Sequence, residues 1–390
     1  MRQRWLVVAA VSSALALFGC AKKSSEQPGE PVAETKPEAP RPAPLAAVTP
    51  VRLPGDMVPA PWLGEATLVA ALGAREGAVI VAAGNGWLRW FSPSGKQLGE
   101  RLGEGYPQVL RTVDLDGDGK SEVLFARGMG RGAKDAKAVL EILEITGESA
   151  VATPVVLPPA TRQQVAGVAA VAGSGALWVA SFVSKFEVNV GRYEKASGPK
   201  EDSQKWERVE DRGQHRVVAD IAVMPDGTPI IARMYGDTTD APGGVYALRE
   251  GKAPLAIPST RGARALHVLP TDGGQLMMSD GWHKNYGRKA QGLVTLVSRK
   301  SWGWTKLASV EVHKNYGFTQ LRSGDPHSHE GPEIIASGNG PAVVVLPTRP
   351  DLVFVLGDAI ASDAVAIDLA GDARSEVVIA GPKPVIWNPR

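Results

Sequence analysis

Asp114, Asp116, Asp118 and Glu122 occupy positions 1, 3, 5 and 9 of the stretch Asp114-Leu-Asp-Gly-Asp-Gly-Lys-Ser-Glu122. Four carboxylates in so tight a loop converge on one point, the donor set that a hard cation with six to eight oxygen ligands needs. Ca2+ is therefore the expected cofactor, with Lys120 adding its backbone carbonyl. Gly117 and Gly119 permit a turn that neighbouring carboxylates would otherwise resist by mutual repulsion. A helical calcium loop needs a bidentate Glu at position 12. Here that position is Phe125, and the flanking residues Val113 and Val123-Leu-Phe read as β-strands. The motif is a calcium loop between two strands.

The frame recurs twice in altered form. Asp368, Asp372 and Glu376 repeat it with one carboxylate replaced by Ala370 and with Arg374 nearby. This loop reads first as a turn held by a salt bridge, with a second metal site as the alternative. Asp325, His327, His329 and Glu333 form the other copy, in which imidazoles replace two carboxylates. A His-x-His pair suits Zn2+ or Ni2+ better than Ca2+, and a solvated turn is the plainer reading.

A different repeat, His-Lys-Asn-Tyr-Gly, occurs at 283–287 and at 313–317. Trp282, His283, Asn285, Tyr286, His313, Asn315 and Tyr316 combine flat apolar faces with donors and acceptors, a mixture that suits a sugar or a peptide. The alternative is that they tie neighbouring structural units together by hydrogen bonds. No nucleophile elbow, phosphate-binding glycine loop or zinc-hydrolase helix is present in the sequence. The expectation is a protein that is not an enzyme.

The elements that hold these loops are repeats. Short apolar runs end in a small residue at Ala82, Ala126, Ala180, Ala232, Ser279, Ala336 and Ala380, spaced 44–57 residues apart. The acidic loops begin twelve residues before such an anchor at Asp114 and Asp368, and the same count reaches Asp220 in the fourth unit. Seven units of about 50 residues, each of three or four strands, match the period of propeller blades. The last unit ends at Val385-Ile-Trp387 with only three strands, and Val51-Arg-Leu53 precedes the first without a partner. The fold expected is all-β, a seven-bladed β-propeller over residues 50–390, with residues 50–54 supplying the missing outer strand.

The acidic loop resembles the FG-GAP/VCBS repeats found in the propeller of integrin α-subunits and in bacterial surface proteins. The likeness is specific at Asp114–Glu122, degenerate at Asp368–Glu376 and Asp325–Glu333, and a matter of register in the other four units. It implies a calcium-binding propeller that presents a binding face.

Residues 1–19 have a basic start at Arg2 and Arg4 and an apolar run from Leu6 to Phe18, too short to span a bilayer and suited to a secretory signal. Leu17-Phe-Gly-Cys20 resembles the bacterial lipobox, in which the cysteine becomes acylated, and Cys20 is the sole cysteine of the sequence. Ala21 resembles the residue that directs such lipoproteins to the outer membrane. Residues 20–49 are rich in Pro, Ala, Glu and Lys and read as a disordered tether. With 43 basic and 41 acidic side chains, no global field draws the chain to nucleic acid. The expectation is a monomer, lipid-anchored at the bacterial outer membrane, that binds Ca2+ and a protein or glycan partner. One alternative is a scaffold similar to the propeller lipoprotein of the outer-membrane assembly machinery. The other is a carbohydrate-active, polysaccharide-lyase-like enzyme with His283 or His313 as base. Replacing Cys20 with Ser should leave the precursor unacylated and the protein either soluble or held as the uncleaved precursor. Membrane association equal to that of the unaltered protein would refute the lipobox reading.

Overall fold

The apolar runs of this chain lack the inside–outside alternation of a half-buried strand, and the reason is that both faces of each sheet are covered. The computed structural model describes residues 48–390 apart from 74–76, 130–136, 160, 163, 185–186, 198–204, 217, 234–242, 259–262, 270–273, 280–291, 301–302, 314–316, 328–332 and 373. Two N-terminal strands, β1 (Val51–Arg52) and β2 (Gly55–Pro59), precede seven antiparallel sheets that follow one another along the chain.

The first blade comprises β3 (Leu68–Leu72), β4 (Val79–Gly84), β5 (Trp87–Phe91) and β6 (Gln97–Leu102). The second comprises β7 (Tyr106–Val113), β8 (Glu122–Gly128), β9 (Val139–Thr146) and β10 (Ser149–Pro154). The third comprises β11 (Val165–Ala170), β12 (Ala176–Phe182), β13 (Glu187–Lys195) and β14 (Trp206–Arg216). The fourth comprises β15 (Val218–Val223), β16 (Pro229–Arg233), β17 (Gly244–Arg249) and β18 (Lys252–Ile257). The fifth comprises β19 (Leu266–Leu269), β20 (Gln275–Ser279), β21 (Gly292–Lys300) and β22 (Gly303–His313). The sixth comprises β23 (Phe318–Gly324), β24 (Glu333–Gly338), β25 (Gly340–Leu346) and β26 (Arg349–Ala361). The seventh comprises β27 (Asp363–Ile367), β28 (Glu376–Ala380) and β29 (Val385–Pro389), completed by β2. The first strand of each blade packs against the first strand of the next, all the way round from β3 to β27 and back. The molecule is a seven-bladed β-propeller.

Each of the seven anchors falls in the second strand of its blade, and each is buried. Successive residues of that strand face opposite neighbours. Ile80 and Ala82 join a cluster with Val365 and Val378 of the seventh blade, while Val81 and Ala83 join Leu110 and Val123 of the second. The same division repeats at Leu124 and Ala126 against Val123 and Phe125.

The ring closes one strand later than the sequence suggests. Residues 50–54 do not complete the seventh blade. Instead β2 pairs antiparallel with β29 from Gly55↔Pro389 to Pro59↔Val385. The expected strand, now β1, lies parallel to β26 as a fifth strand of the sixth blade. Pro54 has no N–H to extend a ladder, so the chain passes there from one blade to the next. Leu53 is buried in the cluster between those two blades, and its N–H reaches Val355 O at 3.0 Å. Gly55 leaves room for the buried indole of Trp387, which a Cβ would meet at 2.3 Å.

Deleting residues 55–59 should expose the edge of β29, uncover Trp387 and cause aggregation and loss of a cooperative thermal transition by circular dichroism. Deleting residues 21–45 should change neither. Equal tolerance of both deletions would overturn this account of closure.

Candidate functional site

The acidic loop leaves the end of β7 and enters β8, so the two strands fix its ends one strand spacing apart. Gly117 and Gly119 both have positive φ, 81° and 85°, as the turn requires. The oxygens of Asp114, Asp116 and Glu122 lie within 4.8 Å of one another. Asp118 does not join that group; its Oδ1 accepts the Lys120 N–H at 2.8 Å. Asp114 accepts the N–H groups of Gly117 at 2.8 Å and Gly119 at 3.1 Å, and Asp116 accepts that of Asp118 at 3.2 Å. Glu122 is buried and accepts the Leu115 N–H at 2.6 Å. The neighbouring blade braces the loop from outside, because Gly173 and Gly175 donate to the carbonyls of Asp114 and Leu115 at 2.8 Å.

Burial pushes the Glu122 carboxyl above its ordinary pKa, and the charges of Asp116 and Asp118 add to the rise against the pull of the Leu115 amide. A divalent cation would relieve both causes. Each carboxylate oxygen has two lone pairs, so an oxygen that accepts an amide can still ligate. The donor set therefore fits Ca2+.

The two related loops share one feature with this one. Glu376 accepts the Leu369 N–H at 2.7 Å, and the fully buried Glu333 accepts the His327 N–H at 2.8 Å. In all three, a glutamate opening the second strand latches the turn that precedes it. Asp368 accepts from Gly371 at 2.6 Å and Asp372 from Arg374 at 3.0 Å. No salt bridge of Arg374 is found among the described residues; it lines a cleft with Pro326, His327 and Trp387 instead. His327 lies 3.9 Å from Glu333 and stacks on Phe354 at 4.4 Å. Asp325 precedes that turn at the end of β23.

Cys20, Trp282, His283, Asn285, Tyr286, Asn315, Tyr316 and His329 lie outside the described residues. His313 ends β22, where its backbone pairs with Gly292. Asp220 is not in a loop. It lies in the inner strand β15 opposite the anchor Ala232, because the turn from β15 to β16 is too short for the count that holds at Asp114.

What Asp220 does instead was not legible from spacing. Arg111 of β7 donates through Nη2 to both Asp220 oxygens, at 2.7 and 2.8 Å, and through Nη1 to Val168 O and Ile221 O. Asp220 also accepts the Leu266 N–H at 2.9 Å. Arg322 of β23 pairs with the fully buried Asp363 of β27 at 2.8 Å and donates to Leu110 O at 2.8 Å. Asp363 accepts the Val69 N–H at 3.1 Å. His267 of β19 stands beside these groups, and burial, helped by the Arg111 and Arg322 charges, lowers its pKa to about 4. Its ring is neutral at physiological pH. The available signal was a single charge in each of four apolar strands, Gln-Val-Leu-Arg111, Ala-Asp220-Ile, Gln-Leu-Arg322 and Ser-Asp363-Ala.

Arg111 spans the second to the fourth blade and Arg322 reaches from the sixth blade to Leu110 of the second, and a cavity lies at either end of this network. One, of about 240 Å³, lies where the inner strands end. The other, of about 340 Å³, lies where they begin.

No family model and no curated protein matches the chain. Among solved structures, a chain of the "Crystal Structure of Mitotic Checkpoint Complex" superposes with a TM-score of 0.54 at 13% identity, covering 90% of this chain and 96% of that one. At that identity the likeness is one of fold.

Replacing Asp363 with Ala leaves the half-buried Arg322 without its counter-charge and the buried Val69 N–H without its acceptor. The expected loss is about 3–5 kcal/mol in urea unfolding. Glu100→Ala, which removes a surface pair with Arg89, should cost about 1 kcal/mol or less. Similar losses for both would show that the axial pair has no special weight.

Proposed function

We propose that this chain is a lipid-anchored, calcium-binding β-propeller of the FG-GAP/VCBS-like kind, which presents one face to a protein or glycan partner at the bacterial outer membrane and performs no catalysis. The observation that carries the reading is the convergence of Asp114, Asp116 and Glu122 within 4.8 Å in a loop braced by the next blade. The glutamate latch common to three loops supports a shared ancestry for the repeats, with the full acidic set retained in the second blade.

The two ends of the propeller differ in a way that suits this reading. The acidic loop leaves the end where the inner strands finish. The described residues flanking the two His-Lys-Asn-Tyr-Gly copies lie at the opposite end: Ser279 donates to Ala265 O just before β19, and His313 precedes β23. A cation on one face would stiffen the blade without obstructing a partner on the other.

Calcium binds the folded loop and not the unfolded chain, so it stabilises by mass action. Adding EGTA should lower the melting temperature, and restoring Ca2+ in excess should recover it. In Asp114→Ala/Asp116→Ala the melting temperature should no longer respond to either. A wild-type melting curve indifferent to EGTA and Ca2+ would sink the calcium reading.

A further inference from the structure

The cavity where the inner strands begin has chemistry that neither the acidic loop nor the repeated pentapeptides account for. Its floor is the Arg111–Asp220 pair, and Asp220 is the one carboxylate among its described lining residues. That charge is already held by Arg111. Arg264, on the approach to β19, also lines the cavity, and its guanidinium makes no hydrogen bond or ion pair among the described residues. It is half-buried, and burial alone pulls its pKa below the ordinary arginine value. A cation stripped of part of its water with no counter-charge gains strongly from an anion with planar, paired oxygens.

Among the other described lining residues Tyr106, Gln108, Gln164, Thr319 and Gln320 are polar and uncharged, and the remainder are apolar. Gln164 donates to the Tyr106 hydroxyl at 2.6 Å, and Gln108 accepts the Val165 N–H at 2.7 Å. These bonds hold the side chains in place and leave the Tyr106 O–H, the Gln108 amide donors and the Gln164 carbonyl for a ligand. Gln320 makes no side-chain hydrogen bond among the described residues. Phe182 and the Tyr106 ring supply flat apolar surface. One cation unbalanced among the described residues, several amide and hydroxyl groups, and room for a molecule of about a dozen heavy atoms define the ligand. We propose that this axial mouth binds a small hydroxylated carboxylate of the sugar-acid class, with Arg264 gripping the carboxylate and Gln108, Gln164, Gln320 and Tyr106 reading the hydroxyls. This site stands apart from the calcium and lipid parts of the preceding reading and does not depend on them.

Titration calorimetry of the full-length chain with D-glucuronate, D-glucose, acetate and inorganic phosphate tests it. Glucuronate should bind with one site per chain and at least tenfold more tightly than each of the other three. Arg264→Met should weaken glucuronate at least tenfold while leaving the melting temperature unchanged. Should that variant fail to fold, Gln320→Leu, which removes no internal hydrogen bond, should still weaken glucuronate and leave acetate as it was. Absence of glucuronate binding, equal affinity for phosphate or acetate, or variants that bind as the unaltered protein does would each overturn the proposal.

Discussion

The inner strand of every blade is the edge of its own sheet, so seven rows of backbone N–H and C=O groups face the axis without a strand to pair with. Two arginines and two aspartates answer this problem. Arg111 and Asp220 tie β7, β11, β15 and β19 together through the Val168, Ile221 and Leu266 backbones. Arg322 and Asp363 tie β23, β27, β3 and again β7 through Val69 and Leu110. Strand β7 belongs to both sets, so four side chains link all seven blades. The apolar clusters between blades supply most of the burial, but they are interchangeable in kind. The axial pairs join particular blades, and their position divides the axis into two separate cavities.

That division gives the molecule two chemically distinct ends. One carries an acidic loop whose carboxylates crowd one another. The other carries a cation without a partner among the described residues. Each is an electrostatic deficit held in place by well-satisfied neighbours: backbone amides in the loop, glutamine and tyrosine hydrogen bonds at the mouth. Local deficits of this sort persist when the surrounding fold fixes them, and they are where a ligand gains most by binding.

Much of the architecture was legible because it is periodic. A strand buried on both faces reads as a continuous apolar run, and Ala82, Ala126 or Ala380 mark it at fixed register. The acidic loop was legible because its donors are adjacent in sequence. Counting failed where the blades differ: the short turn before Pro229 moves Asp220 from a loop into a strand. Closure was misplaced because Val51-Arg-Leu53 and Gly55-Asp-Met are both plausible strands, and the choice rests on Pro54 and on the space Trp387 takes. The partners within the axial network and the mouth were not legible, although the lone charges in four apolar strands were. Arg111 and Asp220, or Gln108 and Arg264, are brought together by the ring, and no spacing along the chain records that.

The pairing of β2 with β29 has a consequence for the order of events in folding. The Asp56–Arg390 pair that accompanies it joins residues 334 positions apart, among the longest loops the chain can close. Closing a flexible loop of that length costs about 5 kcal/mol of chain entropy, an amount recovered only once β2 meets β29. During synthesis β2 emerges ahead of all seven blades and waits unpaired until β29 has followed. The propeller cannot be completed from a partial chain. It therefore stays open, with blade faces that lack a neighbour, until β29 arrives.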